Sequence, residues 1–479
     1  MSQMTQEYDE HYDTAYRGQY HYSTRDGWLN DPCGPFYYNG TYHLFYQHFH
    51  GVGIDSNQMS WGHATSADLI HWSEKEDAIA FDALGSIWTG SVVIDSNNAS
   101  GLFPGGSGLL AFYTLEKEGI QQQSLAFSTD EGETWTKYQG GEPIVATDRD
   151  PLHNRDFRDP KVFYLPQCLK WVMLVAGGPL RIFSSTDLLH WSFDSAIEGI
   201  VTECPDAFEL RDRQGANKWV LSLGGRYYVT GHFEQTAGKI HFIQDQGERK
   251  SFNFGPDSYA SQHFQYAPGG KVYVISWMSN WAYASKCAQL MNSFNGMMSL
   301  VYEYSLVEKN GEYYVKETPL DKYQDLRIGG NSLSGVVSLK PHSGKAVDSY
   351  GSFRLDVEAS IPKNGDFTLH LQVSGRNDFV ISYDRPTAKL KVDRTKQEHY
   401  PTKQFLASFE TTLPLNEEEK FSFTLYGDRS SIEFISGDGL TVGTFLYFPG
   451  EDVQVLFASG ETPYQVSYRF DKFAGIFLK

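Results

Sequence analysis

Ser66-Ala67-Asp68-Leu69-Ile70-His71-Trp72 returns later in the chain as Ser185-Thr186-Asp187-Leu188-Leu189-His190-Trp191. A looser copy, Ser128-Thr129-Asp130-Glu131-Gly132-Glu133-Thr134-Trp135, lies between them, so the three tryptophans are 63 and 56 positions apart. A Ser-x-Asp turn that runs into Trp suits a β-hairpin, because a short Ser or Asp side chain closes the turn on its own backbone and the indole starts the next strand. Repeats of this length, dense in short strands, predict propeller blades of about 60 residues rather than solenoid turns. Between about Tyr20 and Val315 there is room for five such blades. Chance recurrence of Ser/Asp/Trp turns in a β-rich chain is the competing explanation.

Strand signals agree with that count. Thr41 to Tyr46 alternates after the Asn39-Gly40 turn, and Leu109–Tyr113, Trp171–Val175, Trp219–Leu223 and Lys271–Trp277 are short apolar or aromatic runs. No segment has a convincing helical period. After Pro319 the pattern changes. Leu320–Leu326 reads as a short helical or irregular connection, Gly329–Gly335 is rich in Gly and Ser, and alternating strands follow at Phe353–Glu358, Phe367–Val373, Phe379–Tyr383, Lys389–Val392, Phe421–Leu425 and Val453–Phe457. The expected organisation is all-β: a five-bladed β-propeller over residues 1–320, a linker over 321–336 and a C-terminal β-sandwich over 337–479.

The 479 residues carry 32 Phe, 30 Tyr and 10 Trp, more aromatic surface than a core requires, and aromatic faces are what cover the C–H patches of sugars. Net charge is −19, and no cluster of five or more Lys/Arg residues occurs, which argues against nucleic acid and anionic membrane as partners. A neutral ligand fits better. Cys33, Cys168, Cys204 and Cys287 are too few and too scattered for a disulfide framework or a zinc site, so neither a metal nor another cofactor is expected. Met1–Tyr12 is polar and lacks the apolar stretch of a signal peptide, and no run of about eighteen apolar residues occurs. A cytoplasmic protein is expected, although a secreted chain already processed would read the same way.

Three acids stand in similar surroundings: Asp31 in Asn30-Asp31-Pro32, Asp159 in Arg158-Asp159-Pro160, and Glu203 in Glu203-Cys204-Pro205. Each precedes a proline by one or two residues, with an apolar strand following. Asp-Pro commonly does nothing more than begin a turn. Three such sites in a repeat protein, however, place three acids at the heads of inner strands, where a propeller's strands converge on its axis. Three converging carboxylates do not all ionise freely, so at least one is expected to have a raised pKa, as a general acid beside a nucleophile requires. Arg149-Asp150-Pro151 is a decoy, followed by His153-Asn154-Arg155 instead of a strand. Glu209 lies inside the stretch Ala207–Leu210, and His63 and His71 read as structural.

These segments resemble the signature motifs of the β-fructofuranosidases of glycoside hydrolase family 32. The resemblance continues in order through Tyr42-His43-Leu44-Phe45-Tyr46-Gln47, Trp61-Gly62-His63-Ala64-Thr65-Ser66, Trp88-Thr89-Gly90-Ser91 and Met297-Met298-Ser299-Leu300, and into the second domain at Asp428-Arg429-Ser430-Ser431-Ile432-Glu433. It implies a retaining β-fructofuranosidase acting on terminal β-D-fructosyl units of sucrose, fructo-oligosaccharides or fructans through a covalent intermediate. In that reading Asp31 is the nucleophile, Glu203 the acid/base and Asp159 the transition-state stabiliser. Arg158 holds Asp159 ionised and donates to the sugar, and Asn30, Gln47, Trp88, Thr89 and Trp281 line the fructosyl pocket. A retaining mechanism sets the two catalytic carboxyls ~5 Å apart.

Two departures from the family pattern bear on the substrate. Cys33 replaces the Asn that usually follows Asp-Pro, and Ser56 stands where a Trp usually walls the pocket. Three alternatives stay open: a fructosyltransferase with the same intermediate, another five-bladed glycosidase such as an arabinan-cleaving enzyme, and a non-catalytic carbohydrate-binding protein. The last should lack one of the acids, and none is missing.

Overall fold

The computed structural model describes residues 9–329 and 332–477. The polar opening up to residue 8, and residues 330 and 331 of the Gly/Ser-rich connection, lie outside them. Five antiparallel sheets follow one another along the first two-thirds of the chain. Their innermost strands are Gly27–Tyr38, Ser86–Asp95, Arg158–Leu165, Asp206–Arg211 and Tyr259–His263. These are the blades of a five-bladed propeller. The short strand Phe294–Asn295 pairs in parallel with Gly27–Trp28, and Gln265 exchanges backbone hydrogen bonds with Pro35 and Tyr37, so the fifth blade closes onto the first.

The Ser-x-Asp…Trp repeat is the hairpin between the third and fourth strands of blades one, two and three. In the first copy Ser66 Oγ accepts from the backbone N–H of Asp68 and Leu69, and Asp68 Oδ1 accepts from Ile70 and His71. Ser185 and Asp187 make the corresponding four bonds in the third copy. Each turn forces one non-glycine residue into the left-handed region, Leu69 at φ 68°, Glu131 at 63° and Leu188 at 66°. The side-chain bonds offset that strain. Blades four and five turn instead through Ala237-Gly238 and Asn310-Gly311, which explains why the motif occurs only three times.

One α-helix, Ala284–Met291, departs from the all-strand expectation. Eight residues are too few for a period to stand out, and packing of Ala284, Cys287 and Met291 holds the helix in place. Beyond Pro319 a 3-10 turn at Asp321–Leu326 leads to the first sandwich strand, Leu333–Leu339, which begins inside the stretch read as linker. Two six-stranded antiparallel sheets then pack face to face over an apolar core that includes Phe353, Leu369, Phe379, Phe423 and Val455.

The sandwich grips the propeller through a buried polar network. His21 Nδ1 lies 2.8 Å from Asp428 Oδ2 and its Nε2 lies 2.9 Å from Glu433 Oε1, with all three side chains fully buried. The backbone N–H groups of Gln19 and Tyr20 donate to Asp428, while the Leu300 N–H and the Tyr302 hydroxyl donate to Glu433. The Asp428–Glu433 motif is therefore one docking element of the second domain, beside the buried Arg394–Asp257 pair. Burial alone would lower the His21 pKa, but its bonds to Asp428 and Glu433 outweigh that and raise it to about 9. Protonated His21 stabilises the fold below its unfolded value of ~6.5, and this contribution is lost as pH rises through about 9. His21→Phe should cost about 3–5 kcal/mol at pH 7, because two buried carboxylates lose their cation. The gap in Tm between the two proteins should shrink by pH 9.5; an equal gap at both pH values would mean that His21 is neutral.

Candidate active site

Four of the five inner strands are bulged, three of them where they line one pocket. Asn30 and Asp31 together lie across from Gln47, Thr89 is the extra residue opposite Tyr113–Thr114, and Asp159 and Pro160 together lie across from Val175. Ala260 and Ser261 repeat the arrangement opposite Ser276. A bulge bends the strand and re-aims its side chains, which is how consecutive residues reach one cavity from a strand whose side chains otherwise alternate. The acids therefore do not precede the strands as the sequence pattern implied. Asp31 is the fifth residue of its strand, Asp159 is the second, and only Glu203 stands in a bend before one.

The pocket encloses about 370 Å³, and Asp31, Asp159 and Glu203 all line it. So do Asn30, Gln47, Trp88, Thr89, Arg158 and Trp281, every further position that the resemblance pointed to. Asp31 and Asp159 are buried, whereas the Glu203 side chain is 40% exposed. Cys204 links the acids. Its backbone N–H donates to Asp159 Oδ2 at 2.9 Å and its thiol to Asp31 Oδ2 at 3.3 Å. Thr89 Oγ1 reaches the same Asp31 oxygen at 3.5 Å, while Asp31 Oδ1 has no hydrogen-bond partner among the described residues.

Arg158 is held by Gln121 Oε1 at 3.1 Å and by Asp156 at 3.3 Å, and it donates to Glu203 Oε1 at 2.7 Å. Tyr259 donates its hydroxyl to Glu203 Oε2 at 2.5 Å. Sequence reasoning missed Gln121, Asp156, Cys204 and Tyr259, and also Ile54 and Met59 in the wall. The Glu203-Cys204-Pro205 motif contained a signal for Cys204; nothing in the sequence marked Tyr259.

Burial pushes Asp31 up to about 6, against hydrogen bonds from Asn30 and Cys204. It pushes Asp159 up to about 7, against the Arg158 charge, whose Nε lies 3.8 Å from Oδ2, and against the hydrogen bond from the Cys204 N–H. The Arg158 charge favours ionised Asp159, as expected, but burial outweighs it. Burial also acts on Glu203, but the hydrogen bonds from Tyr259 and Arg158 prevail and leave it below the usual range. The raised acids are the two at the bottom of the pocket, and the acid at its mouth is the one stabilised as a carboxylate.

The decoy Asp150 is locked in a fully buried ion pair with Arg181 at 2.7 Å, and Glu209 points to solvent on its strand. His63 forms a buried pair with His43 at 3.1 Å, and His71 closes its turn against Asp68. Cys33 lies behind the pocket, donating to the Asp31 carbonyl and accepting from Gln47. Ser56 does face the cavity, beside Ile54, and its carbonyl accepts from the Trp88 indole at 3.0 Å. The Trp281 ring lies against Trp28 and Trp277. His48, His50 and Asp77 bring ligating atoms within 4.8 Å of one another, but they line no part of this pocket.

The family model described as Glycosyl hydrolases family 32 N-terminal domain matches residues 21–318, and the family's C-terminal model matches residues 323–472. The chain is 37% identical over 465 residues to a fructan beta-fructosidase of Streptococcus mutans, an alignment covering 92% of this chain and 32% of that protein. It thus spans about a third of that relative's length. Exo-inulinase from Aspergillus awamori superposes with a TM-score of 0.87 at 27% identity, covering 97% of this chain and 99% of that one. A fructofuranosidase variant from Schwanniomyces occidentalis, complexed with fructosylnystose, superposes with a TM-score of 0.84 at 26% identity over 97% and 98% of the two chains.

Proposed function

The chain belongs to glycosyl hydrolase family 32, and from that premise we propose that it is a retaining β-fructosidase releasing terminal β-D-fructosyl units from fructo-oligosaccharides, fructans and sucrose. The observation that carries this reading is the convergence of Asp31, Asp159 and Glu203 on one pocket, two of them bridged by Cys204. Asp31 attacks the anomeric carbon and forms an ester as the glycosidic C–O bond breaks. Glu203 gives its proton to the leaving oxygen. Glu203 then takes a proton from water, which attacks the same carbon and frees Asp31. Asp159, at the bottom of the pocket, accepts from fructosyl hydroxyls, and Asn30, Gln47, Trp88, Thr89 and Trp281 shape the rest of the pocket.

The first step needs a proton on Glu203 and none on Asp31, whereas the free site holds a proton more readily on Asp31 than on Glu203. Substrate corrects this. Sugar hydroxyls donating to Asp31 and Asp159 favour their ionised forms, and a leaving sugar that covers Glu203 favours its neutral form. The kcat/KM of free protein and substrate should therefore fall as pH drops through about 6, where the acid cluster takes up its next proton. The Cys204 thiol holds Asp31 down, so Cys204→Ala should move this acid limb to higher pH. The measurement is the pH profile of kcat/KM on sucrose, and an unmoved limb would deny the thiol that role.

The substrate range rests on the relatives: a fructan beta-fructosidase, an exo-inulinase, and a fructofuranosidase holding fructosylnystose. The deciding experiment is a time course of products from sucrose, kestose, inulin and levan. Free fructose should accumulate from the first minutes. Products longer than the substrate would indicate a fructosyltransferase, and no release from any of the four would remove the reading.

A further inference from the structure

His48, His50 and Asp77 stand together on blade one, outside the acid pocket. His48 lies in the strand Thr41–Phe49 and His50 follows its end, so alternation sends both imidazoles to one face. Asp77 belongs to the strand Ser73–Ile79, two strands away in the same sheet. The intervening strand has Ser60 opposite His48 and Gly62 opposite Tyr46, residues too small to keep the carboxylate from the imidazoles. The Asp77 strand is also bulged here, with Glu76, Asp77 and Ala78 together across from Gly62.

The carboxylate presents one oxygen to each ring. Asp77 Oδ1 lies 2.7 Å from His48 Nδ1, and Oδ2 lies 3.2 Å from His50 Nε2. The two rings stand edge to face at 72°, and the ligating atoms all lie within 4.8 Å of one another. The side chains of His48 and Asp77 are nearly buried, whereas that of His50 is 76% exposed. His48 Nε2 lies 3.4 Å from the Asp26 carbonyl oxygen, to which it can only donate. That bond places a proton on Nε2 and turns the Nδ1 lone pair towards the Asp77 carboxylate. The repulsion between them is relieved by a positive charge, either a proton or a metal ion.

We propose that His48, His50 and Asp77 bind one divalent transition-metal ion of the zinc class, and that the ion pins the start of the loop walling the pocket. Two imidazoles and a carboxylate suit such an ion, whereas Mg²⁺ and Ca²⁺ prefer oxygen throughout. Bonds of about 2.0–2.2 Å set neighbouring ligand atoms roughly 3.4 Å apart around a tetrahedral ion. The 3.2 Å pair is close to that spacing, and the 2.7 Å pair reaches it by a small turn of the carboxylate. The bond from His48 to the Asp26 carbonyl is the outer support that a metal-bound imidazole uses to fix its ring. Negative charge from Glu74 also acts on His48 and favours a cation there.

His50 leads directly into Gly51–Gln58, which brings Ile54 and Ser56 into the pocket wall. Asn295 Nδ2 donates to the Val52 carbonyl, and the Trp88 indole donates to the Ser56 carbonyl. A metal bond at His50 adds an anchor at the residue before the loop. The ion would thus steady the wall beside the acids without touching substrate.

The test uses the full chain, stripped with EDTA and titrated with ZnCl₂, with MgCl₂ as the control. Wild type should take up one Zn²⁺ more than His50→Ala, with a rise in Tm that Mg²⁺ does not give. Affinity at this site should fall at least about tenfold in His50→Ala and in Asp77→Asn. His50 is exposed, so His50→Ala should match the wild-type Tm in EDTA. Zn²⁺ should slow amide hydrogen exchange across residues 51–58 at least about threefold in the wild type alone. Equal uptake by wild type and His50→Ala would put the zinc elsewhere and overturn the proposal. No uptake by the wild type would overturn it as well, leaving a proton shared by His48 and Asp77. Uptake without slower exchange would refute the pinning of the loop.

Discussion

Asp31→Asn should lower kcat on the order of 10⁴-fold or more while leaving the protein folded. Asn has the shape of Asp and can keep the contacts of Oδ2 with Cys204 and Thr89. What it removes is the negative charge and the oxygen that forms the ester, and no neighbour can substitute. Asp159 is tied to the Cys204 N–H, and Glu203 to Tyr259 and Arg158. Stability should hold or rise. A carboxyl pushed up to about 6 by burial is ionised at neutral pH at a cost to the fold, and the amide escapes that cost. The pair of measurements is kcat on sucrose and Tm at pH 7.5. A folded variant that keeps a tenth of wild-type kcat would end the assignment of Asp31 as nucleophile.

Glu203→Ala should cost about 10³-fold in the fructosyl-transfer step on sucrose, and much less on an activated aryl fructoside, which departs with little protonation. Its position at the mouth of the pocket, with one oxygen held by Tyr259 and the other by Arg158, fits a group that meets the leaving oxygen. The transfer step has to be read from the pre-steady-state burst, since the same residue activates water in the second step. Equal losses of burst rate on the two substrates would mean that Glu203 is not the acid.

The protonation pattern is the least intuitive feature of the site. Simple expectation assigns the raised pKa to the acid/base, because that group must arrive protonated. Here Asp31 and Asp159 are raised and Glu203 is lowered. The order follows from depth. The two buried carboxylates have lost water and gained few donors, whereas Glu203 at the mouth has two strong ones. In the mechanism proposed above, a leaving sugar packed over Glu203 would reverse the order only when substrate is present.

By itself the sequence determined the propeller, through a Ser-x-Asp…Trp turn whose side chains close on their own backbone and so need no distant partner. It also determined the sandwich, through alternation, and the three acids, because each stands in a short motif beside proline. What only the tertiary structure decided is how those acids meet. Bulges at Asn30–Asp31, Thr89 and Asp159–Pro160 turn residues of three separate blades into one pocket, and a bulge depends on the register with a partner strand that local sequence does not carry. The partners of the acids came the same way. Cys204 joins Asp31 to Asp159, and Tyr259 reaches Glu203 across 56 residues. Such contacts belong to the closure of the ring of blades, and so do the pKa values, since burial and hydrogen bonding are properties of the assembled pocket.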